Sequence, residues 1–424
     1  MSPSTYYHAS ATEPFPRAPQ LTGSITADVC VVGGGYTGLS TALHLARHGA
    51  SIALLEASRI GDGASGRNGG QVHNGFRHTS RWFESRLGAD LAQQIYSLGI
   101  EAREHLDWLI RTYNIDAQYH PGLLHLCHKR SYVDAARAHV DDVMSRHPEA
   151  GLRFVDLNEA RSLVSSEDYY GGYLDSHCGH LHALNLALGV ARAARQHGAQ
   201  LYEQSAATRM SRTAQGWEIH TATGSVKAAN VVLAGNGYLR NLQPAVQARV
   251  MPINNFVLTT EVLGREAAEE LIRDRLAVSD SRFVVHYFRI TPDDRLLFGG
   301  GETYSYRFPK DIAGMVRRHM LRVFPQLQNT RIEHAWGGTL AITTSRLPFV
   351  REVEPGLFNA SGFSGQGILI APFAGKALAN AIGGDRRVFD LLARFPVRRF
   401  PGGKYLRGPV LAAAMSWYAL RDRL

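Results

Sequence analysis

The chain has 424 residues, 45% of them hydrophobic and 20% charged, the composition of a soluble globular protein long enough for two domains with ample core. No run approaches eighteen apolar residues, and residues 1–19 are polar, with Pro14, Pro16 and Pro19 and no apolar core, so neither a membrane span nor a secretory signal is expected. The net charge of +9 owes much to Arg386, Arg387, Arg394, Arg398, Arg399, Lys404 and Arg407, which carry no groove-reading or aromatic-interleaved pattern and read as a solvated basic face rather than a nucleic-acid surface.

Between Asp28 and Gln71 the sequence reads DVCVVGGGYTGLSTALHLARHGASIALLEASRIGDGASGRNGGQ. Val29 to Val32 is a short apolar run that predicts a buried strand. Gly33, Gly35 and Gly38 follow, then a helical pattern with Leu39, Ala42, Leu43 and Ala46 on one face and Gly49 as its stop. A second strand, Ser51 to Leu55, ends on Glu56. Strand, glycine turn, helix, strand and terminal acid make a dinucleotide-binding unit. Gly33 permits the tight turn, Gly35 lets backbone approach a pyrophosphate, and Gly38 lets the helix pack closely on the strand. The helix N-terminus offers free N–H groups to phosphate, and Glu56 can accept ribose hydroxyls.

The next segment, Gly61 to Gln71, holds five glycines with Ser65, Arg67, Asn68 and Gln71. It is too polar and flexible for a core element and suits backbone folded around a large polar ligand. It resembles the second flavin-contacting loop of FAD enzymes of the D-amino-acid oxidase and sarcosine oxidase type. No second glycine motif with strand context occurs, so electrons are expected from an organic substrate rather than NAD(P)H.

Residues 82–145 read as mostly helical, broken near Tyr119 to Gly122 and followed by a strand-like Leu123 to Cys127. A helix is expected from Asp156 to Val164. His177, Cys178, His180 and His182 form a cluster whose spacing matches no strong metal site, and no metal is expected. A helix follows from Leu184 to Gln196, then strands over Gln200–Thr208, Trp217–His220, Ser225–Ala228 and Asn230–Leu233. The last runs into Ala234-Gly-Asn-Gly237 and resembles the flavoprotein strand that returns to the nucleotide domain, with Ala207 or Thr208 near the adenine. Strands over Phe256–Val262, Phe283–Ile290 and Arg295–Gly299, with a helix at Arg265–Leu276, suit a curved antiparallel sheet over the flavin. Asp311 to Phe324 is an amphipathic helix. Glycine chemistry returns at Trp336-Gly-Gly338, Thr343 to Pro348 and Ala360 to Gly367, ahead of a helix to Ile382 in which Pro372 is tolerable only within the first turn. That helix N-terminus, after Gly365-Gln366-Gly367, could aim its positive end at the flavin.

With those residues in view, the chain resembles the gamma-glutamylputrescine oxidase family, FAD enzymes of the D-amino-acid oxidase superfamily. The likeness runs nearly end to end: Tyr6-Tyr7, VCVVGGGYTGLS, LEASRIG, ASGRNGGQ, GHLHALNLALG (Gly179 to Gly189), RLLFGGG (Arg295 to Gly301), FSGQG, FPGG (Phe400 to Gly403) and the terminal WYALRDRL. Family members often carry His where this chain has Gln366, and commonly Tyr-Tyr-Arg where it has Tyr287-Phe288-Arg289. The oxygen-activating lysine of sarcosine oxidases is replaced here by Leu296 and Leu297, so oxygen as acceptor is an inference from the family. No cysteine follows Cys178 and no histidine stands at Gly69-Gly70, so the FAD is expected to be noncovalent.

The resemblance implies an α/β fold: a Rossmann-like FAD-binding domain with a second α+β substrate domain on a mostly antiparallel sheet. The FAD domain is expected over 1–85, 150–240 and 330–385, the substrate domain over 86–149 and 241–329, and a C-terminal tail over 386–424. FAD contacts are expected from Gly33, Gly35, Tyr36, Thr37, Gly38, Glu56, Ala57 and Arg59. Ser65, Gly66, Arg67, Asn68, Gly69, Gly70 and Gln71 join them, as do Ala207, Gly235, Arg346, Gly365, Gln366, Gly367 and Ile368. Candidate substrate-side residues are Tyr287, His286, Arg289, His180, Trp336 and Gln366. Period-two alternation puts Tyr287 and Arg289 on one face and His286 and Phe288 on the other, and Arg289 could hold a substrate carboxylate. The expected reaction is oxidation of an amine to an imine and aldehyde, with oxygen reduced to peroxide. The rivals are an amino-acid dehydrogenase serving a quinone or carrier, and a flavin-bearing subunit that assembles through the tail Val410 to Leu420. Three widely spaced cysteines, Cys30, Cys127 and Cys178, favour a reduced, cytoplasmic protein.

Overall fold

The first strand pairs in parallel with a strand two hundred residues further on, Val32 beside Leu233, and everything between is laid out around that contact. The computed structural model describes residues 5–303 and 307–401; the tail from 402, with Lys404, Arg407 and the 410–420 stretch, lies outside the described residues. The chain opens with helix α1 (Tyr6–Ser10), strand β1 (Gly23–Val32), α2 (Tyr36–Arg47), β2 (Ile52–Leu55) and β3 (Gln71–Val72). Two helices, α3 (Ser80–Leu87) and α4 (Ala89–Thr112), lead to β4 (His120–Leu126), α5 (Val133–Arg146), β5 (Leu152–Val155), α6 (Leu157–Leu163) and β6 (Gly172–His180). Then come α7 (Ala183–Gln196), β7 (Gln200–Tyr202), β8 (Arg209–Thr213), β9 (Gly216–His220), β10 (Gly224–Leu233) and α8 (Pro244–Gln247). The second half runs β11 (Met251–Thr260), α9 (Arg265–Leu271), β12 (Ala277–Asp280), β13 (Tyr287–Ile290), β14 (Leu296–Thr303) and α10 (Ile312–Val323). It closes with β15 (Ile332–Ile342), β16 (Phe349–Glu354), β17 (Leu357–Ser361), α11 (Gly367–Ile382) and α12 (Arg387–Ala393).

Two sheets result. The first has a parallel centre, β17-β10-β1-β2-β7, with β16, β9 and β8 added antiparallel. Its central strands are buried on both faces, which is why Val29 to Val32 and Ile52 to Leu55 are continuous apolar runs. The second sheet, β15-β11-β14-β13-β12-β4-β6-β3 with β5 beside β6, is antiparallel except where β12 meets β4. This is the α/β fold expected, a Rossmann-like unit joined to a mostly antiparallel one.

The structure corrects several boundaries. The strands expected at Ser225–Ala228 and Asn230–Leu233 are one, because the first half of β10 pairs with β9 and its last residues with β17. The strand expected to Thr208 stops at Tyr202; Gln204 turns left-handed at φ +52°, and Ser205 N–H donates to the Glu56 carbonyl. The helix expected to Leu276 ends at Leu271, before left-handed Asp274 and Arg275. β13 begins only at Tyr287, because Asp280 accepts from the N–H groups of Arg282 and His286 and holds 281–286 as a loop. Pro372 sits in the second turn of α11, not the first. β5, β6 and β15 fall in segments expected for the FAD domain, yet they pair into the second sheet. The histidine-rich stretch is largely strand: His180 Nε2 donates to the Arg275 carbonyl at 2.9 Å, Cys178 Sγ accepts from Asn74 N–H, and His182 caps α7.

Histidines are buried as neutral rings in the core. His44 of α2 meets His105 of α4, Nε2 to Nε2 at 2.8 Å, with Trp108 stacked on both. Burial pushes His44 down to about 3, and does the same to His73 and His182, each to about 4. In the unfolded chain these rings take up a proton near pH 6.5, whereas in the fold they do not, so their contribution to stability is complete above that pH and is lost as pH falls. Each can cost up to about 1.4 kcal/mol per pH unit. The midpoint of thermal unfolding should therefore drop steeply from pH 6.5 to 4.5, and His105→Phe should flatten that slope; a midpoint constant across this range would refute the account.

Candidate functional site

At the carboxyl ends of β1, β2 and β10 the chain encloses a cavity of about 860 Å³. One end is walled by Leu55, Glu56, Ala57, Ser58, Ala207 and Thr208, so Ala207 and Thr208 share the cavity with the acid. The middle is the turn Gly33-Gly34-Gly35 with Tyr36, Thr37 and Ser65. The far end is built by Arg67, Asn68, Gly337, Phe363, Gly365, Gly367, Ile368 and Ala371.

Local geometry explains the residue types. Gly33 has φ +115°, and a Cβ there would lie 2.8 Å from the Ala234 carbonyl carbon. A Cβ on Gly38 would strike the Gly33 carbonyl, so α2 could not sit where it does. Gly35 is the N-cap of α2 with no side chain capping the helix, which leaves first-turn N–H groups open toward the cavity. A Cβ on Gly35 would lie 2.8 Å from Ser65 Oγ, the atom that accepts from Tyr36 N–H at 3.0 Å. Glu56 accepts from the N–H groups of Gly34 at 2.7 Å and Ser58 at 2.8 Å. Burial raises its pKa while those bonds oppose the rise, and both oxygens keep lone pairs for hydroxyl donors. The helix α11 likewise begins at Gln366 without a capping side chain, and Gly365, Gly367 and Ile368 line the cavity beside it. A backbone cradle, an acid for ribose and two bare helix N-termini along one long cavity fit a flavin dinucleotide.

Other expected residues support the walls from behind. Gly66 packs on the Gly61 carbonyl, Asn68 braces the turn by donating to the carbonyls of Ala64 and Ser65, and Gln71 Nε2 donates to the Val278 carbonyl at 2.6 Å. Gly235 and Arg67 line the cavity, whereas Arg59, Gly69, Gly70, Arg346 and Gln366 are not among its lining residues. Trp336 is fully buried; its Nε1 donates to the Arg67 carbonyl at 3.0 Å, and Arg67 in turn donates to the carbonyls of Asp62 and Gly337. Sequence reasoning missed Asp62, Asn236, Tyr238, Arg240 and Phe308 in the lining. The left-handed backbones of Asn236 and Arg240, at φ +46° and +47°, belong to a turn that only the returning β10 brings here.

On the substrate side the outcome is divided. Tyr287 lies against Gly69 and Gly299, where any Cβ would meet its ring, and its hydroxyl donates to Asn255. Burial raises its pKa, and the nearby charge of Glu302 adds to the effect, so the phenol stays neutral and serves as a wall and donor rather than a base. His286 faces the other way, 3.0 Å from His319 of α10 and buried beside Asp280, which takes it out of the site. Arg289 must also be reassigned. It is 2% exposed, and its N–H groups donate to the carbonyls of Gly69, Leu181 and Ile290 and to the Tyr7 hydroxyl, so it fastens β13 to the flavin-side loop and α1. His180 is spent on Arg275.

A family model described as FAD dependent oxidoreductase matches residues 28–381 of this chain. The chain is 40% identical over 424 residues to the gamma-glutamylputrescine oxidoreductase of Escherichia coli strain K12, covering 99% of this chain and 98% of that protein. It is also 40% identical over 419 residues to the probable oxidoreductase OrdL of Rhizobium meliloti strain 1021, covering 99% and 97%. The solved glycine oxidase of Geobacillus kaustophilus superposes with a TM-score of 0.74 at 23% identity, over 89% of this chain and all of that one, which shows a shared fold. With the dinucleotide cradle in place and a match of this extent, the chain belongs to the DAO family of FAD-dependent oxidoreductases, enzymes of amine and amino-acid oxidation.

Proposed function

We propose that this chain oxidises a γ-glutamylated amine of the γ-glutamylputrescine type to an imine that hydrolyses to an aldehyde, with oxygen reduced to peroxide. The observation that carries the reading is the 40% identity, over both full lengths, to the gamma-glutamylputrescine oxidoreductase. The bound flavin would supply the two-electron chemistry, taking hydride from the carbon beside the amine nitrogen and giving both electrons to oxygen. The protein's share is placement and solvation. The amine must be neutral, because an ammonium has no lone pair to drive hydride departure, and an apolar wall of Phe308, Phe363, Ile368 and Ala371 disfavours the charged form. Tyr287, which donates to Asn255 and stands against Gly69 and Gly299, is neutral and takes no proton. The open N–H groups of α11 favour negative charge at the far end of the cavity.

Noncovalent FAD is part of the same reading: among the described residues no cysteine or histidine lines the cavity, and Cys30, Cys127 and Cys178 are free and buried. Free buried thiols also suit a reducing, cytoplasmic setting, and no single helix among the described residues is long and apolar enough to cross a membrane.

Two experiments follow. Acid precipitation of the purified yellow protein should leave FAD in the supernatant, and Gly35→Leu should yield soluble but colourless protein, since its side chain would occupy the phosphate path beside Ser65. Flavin retained in the pellet contradicts the first expectation, and full occupancy in the variant contradicts the second. In air, γ-glutamylputrescine should be consumed with one peroxide formed per aldehyde. Flavin reduction by that amine without peroxide would replace oxygen with another acceptor, and no flavin reduction under nitrogen would dismiss the substrate.

A further inference from the structure

Among the described residues, four acidic or basic side chains line the flavin cavity: Glu56, Asp62, Arg67 and Arg240. Three of them are already engaged. Glu56 accepts from the N–H groups of Gly34 and Ser58, and Arg67 donates to the carbonyls of Asp62 and Gly337. The Asp62 carboxylate accepts from the Ser58 hydroxyl at 2.7 Å and meets His8 Nε2 at 2.9 Å. Arg240 is exposed and makes no hydrogen bond, ion pair or ring contact among the described residues.

The turn that leaves β10 fixes where Arg240 stands. Ala234 and Gly235 lie against Gly33, 2.8 and 3.0 Å from where a Cβ there would be, and Leu239 folds back onto Gly235. Tyr238 reaches the other way. Its ring lies 3.4 Å from a Cβ position on Gly63, and its hydroxyl accepts from Thr339 N–H at 2.9 Å. Gly63 is two residues before Ser65, which accepts from Tyr36 N–H in the first turn of α2. The turn thus runs from Gly33 to the Gly63–Ser65 loop, along the stretch of the cavity that suits a diphosphate. Arg240 itself holds a left-handed backbone, φ +47°, which glycine or asparagine adopts at less cost. Asn236, left-handed in the same turn, repays that cost within the chain, since its Oδ1 accepts from Gly362 N–H at 2.9 Å. The Arg240 side chain has no such partner.

Charge points the same way. A dinucleotide diphosphate carries two negative charges, and the N-terminus of α2 supplies the equivalent of roughly half a positive one. Glu56 and Asp62 add negative charge to the same cavity, and Arg67 is held on carbonyls. A further cation is needed, and the planar fork of a guanidinium matches two phosphate oxygens.

We propose that Arg240 binds the diphosphate of FAD, so that cofactor retention in this chain depends on a side chain as well as on the glycine cradle. The affinity arm of the test rests on the noncovalent reading, and a second arm does not. Holoenzyme, Arg240→Gln, Arg240→Lys and the surface control Arg111→Gln of α4 are diluted, and release of FAD is followed by its fluorescence. The dissociation constant should rise roughly ten- to a hundredfold in Arg240→Gln, less in Arg240→Lys, and stay unchanged in the control. In competition with FAD for the deflavinated protein, ADP should lose affinity in Arg240→Gln while adenosine does not. An unchanged FAD constant in Arg240→Gln, or an equal loss for ADP and adenosine, overturns the assignment; if that variant does not fold, Arg240→Lys decides by the same criteria. Should the flavin prove tethered, the noncovalent reading fails, and phosphorus NMR of the bound FAD judges Arg240 instead. The diphosphate resonances should move in both Arg240 variants and not in the control; resonances unmoved in the Arg240 variants overturn the contact.

Discussion

Gly375 of α11 lies so close to α2 that a methyl group there would strike the Thr37 carbonyl, and the geometry of the cavity depends on that contact. Ser40 and Thr41 donate from α2 to the carbonyls of Pro372 and Gly375, at 2.7 and 3.1 Å. Two helices separated by more than three hundred residues are thereby locked side by side, and the N-terminus of each borders the same cavity. One begins at the glycine turn, and the other begins beside Gly365 and Gly367. Pro372 fits this arrangement although it lies in the second turn. Its missing N–H costs one helical bond, while its carbonyl accepts the Ser40 hydroxyl. A bulkier residue at Gly375 would part the helices and widen the cavity at both ends.

The parallel centre of the first sheet follows from the same requirement. β1 carries the turn, β2 carries Glu56, and β10 brings Ala234 against Gly33. Strands in this arrangement need long crossovers, and the chain spends those crossovers on the second sheet. The antiparallel sheet is thus inserted between elements of the nucleotide unit rather than appended to it. β3 shows the join most plainly, since it begins at Gln71, the last residue of the glycine-rich loop, and pairs at once with β6.

What could be read from the sequence was local chemistry with a strong spacing. The turn from Gly33 to Gly38, the acid at Glu56 and the polar loop to Gln71 obey rules that act within forty residues, and the structure brings them to one cavity. Ala207 came from the resemblance of the strand running into Ala234 to the flavoprotein strand that returns to the nucleotide domain, and it lines the same cavity as Glu56. Features set by distant partners were not. β6 hides in a histidine-rich stretch because its strand character depends on β4 and β5 on either side. β10 reads as two strands because its halves answer to different neighbours. His286 and Arg289 were placed on opposite faces correctly by alternation, yet alternation says nothing about what each face meets. For one it is His319, for the other three carbonyls and the Tyr7 hydroxyl.

Arg289 shows why the distinction matters for function. A guanidinium in the middle of a strand has lost its water, and the carbonyls that replace that water are fixed by the sheet and the loop it joins. A substrate carboxylate could reach it only by breaking those bonds and opening the packing around Gly69 and Gly70. A charge buried this way is part of the scaffold beneath the glycine turn and the two helix ends, and its carbonyl partners at Gly69 and Leu181 fix where β13 lies.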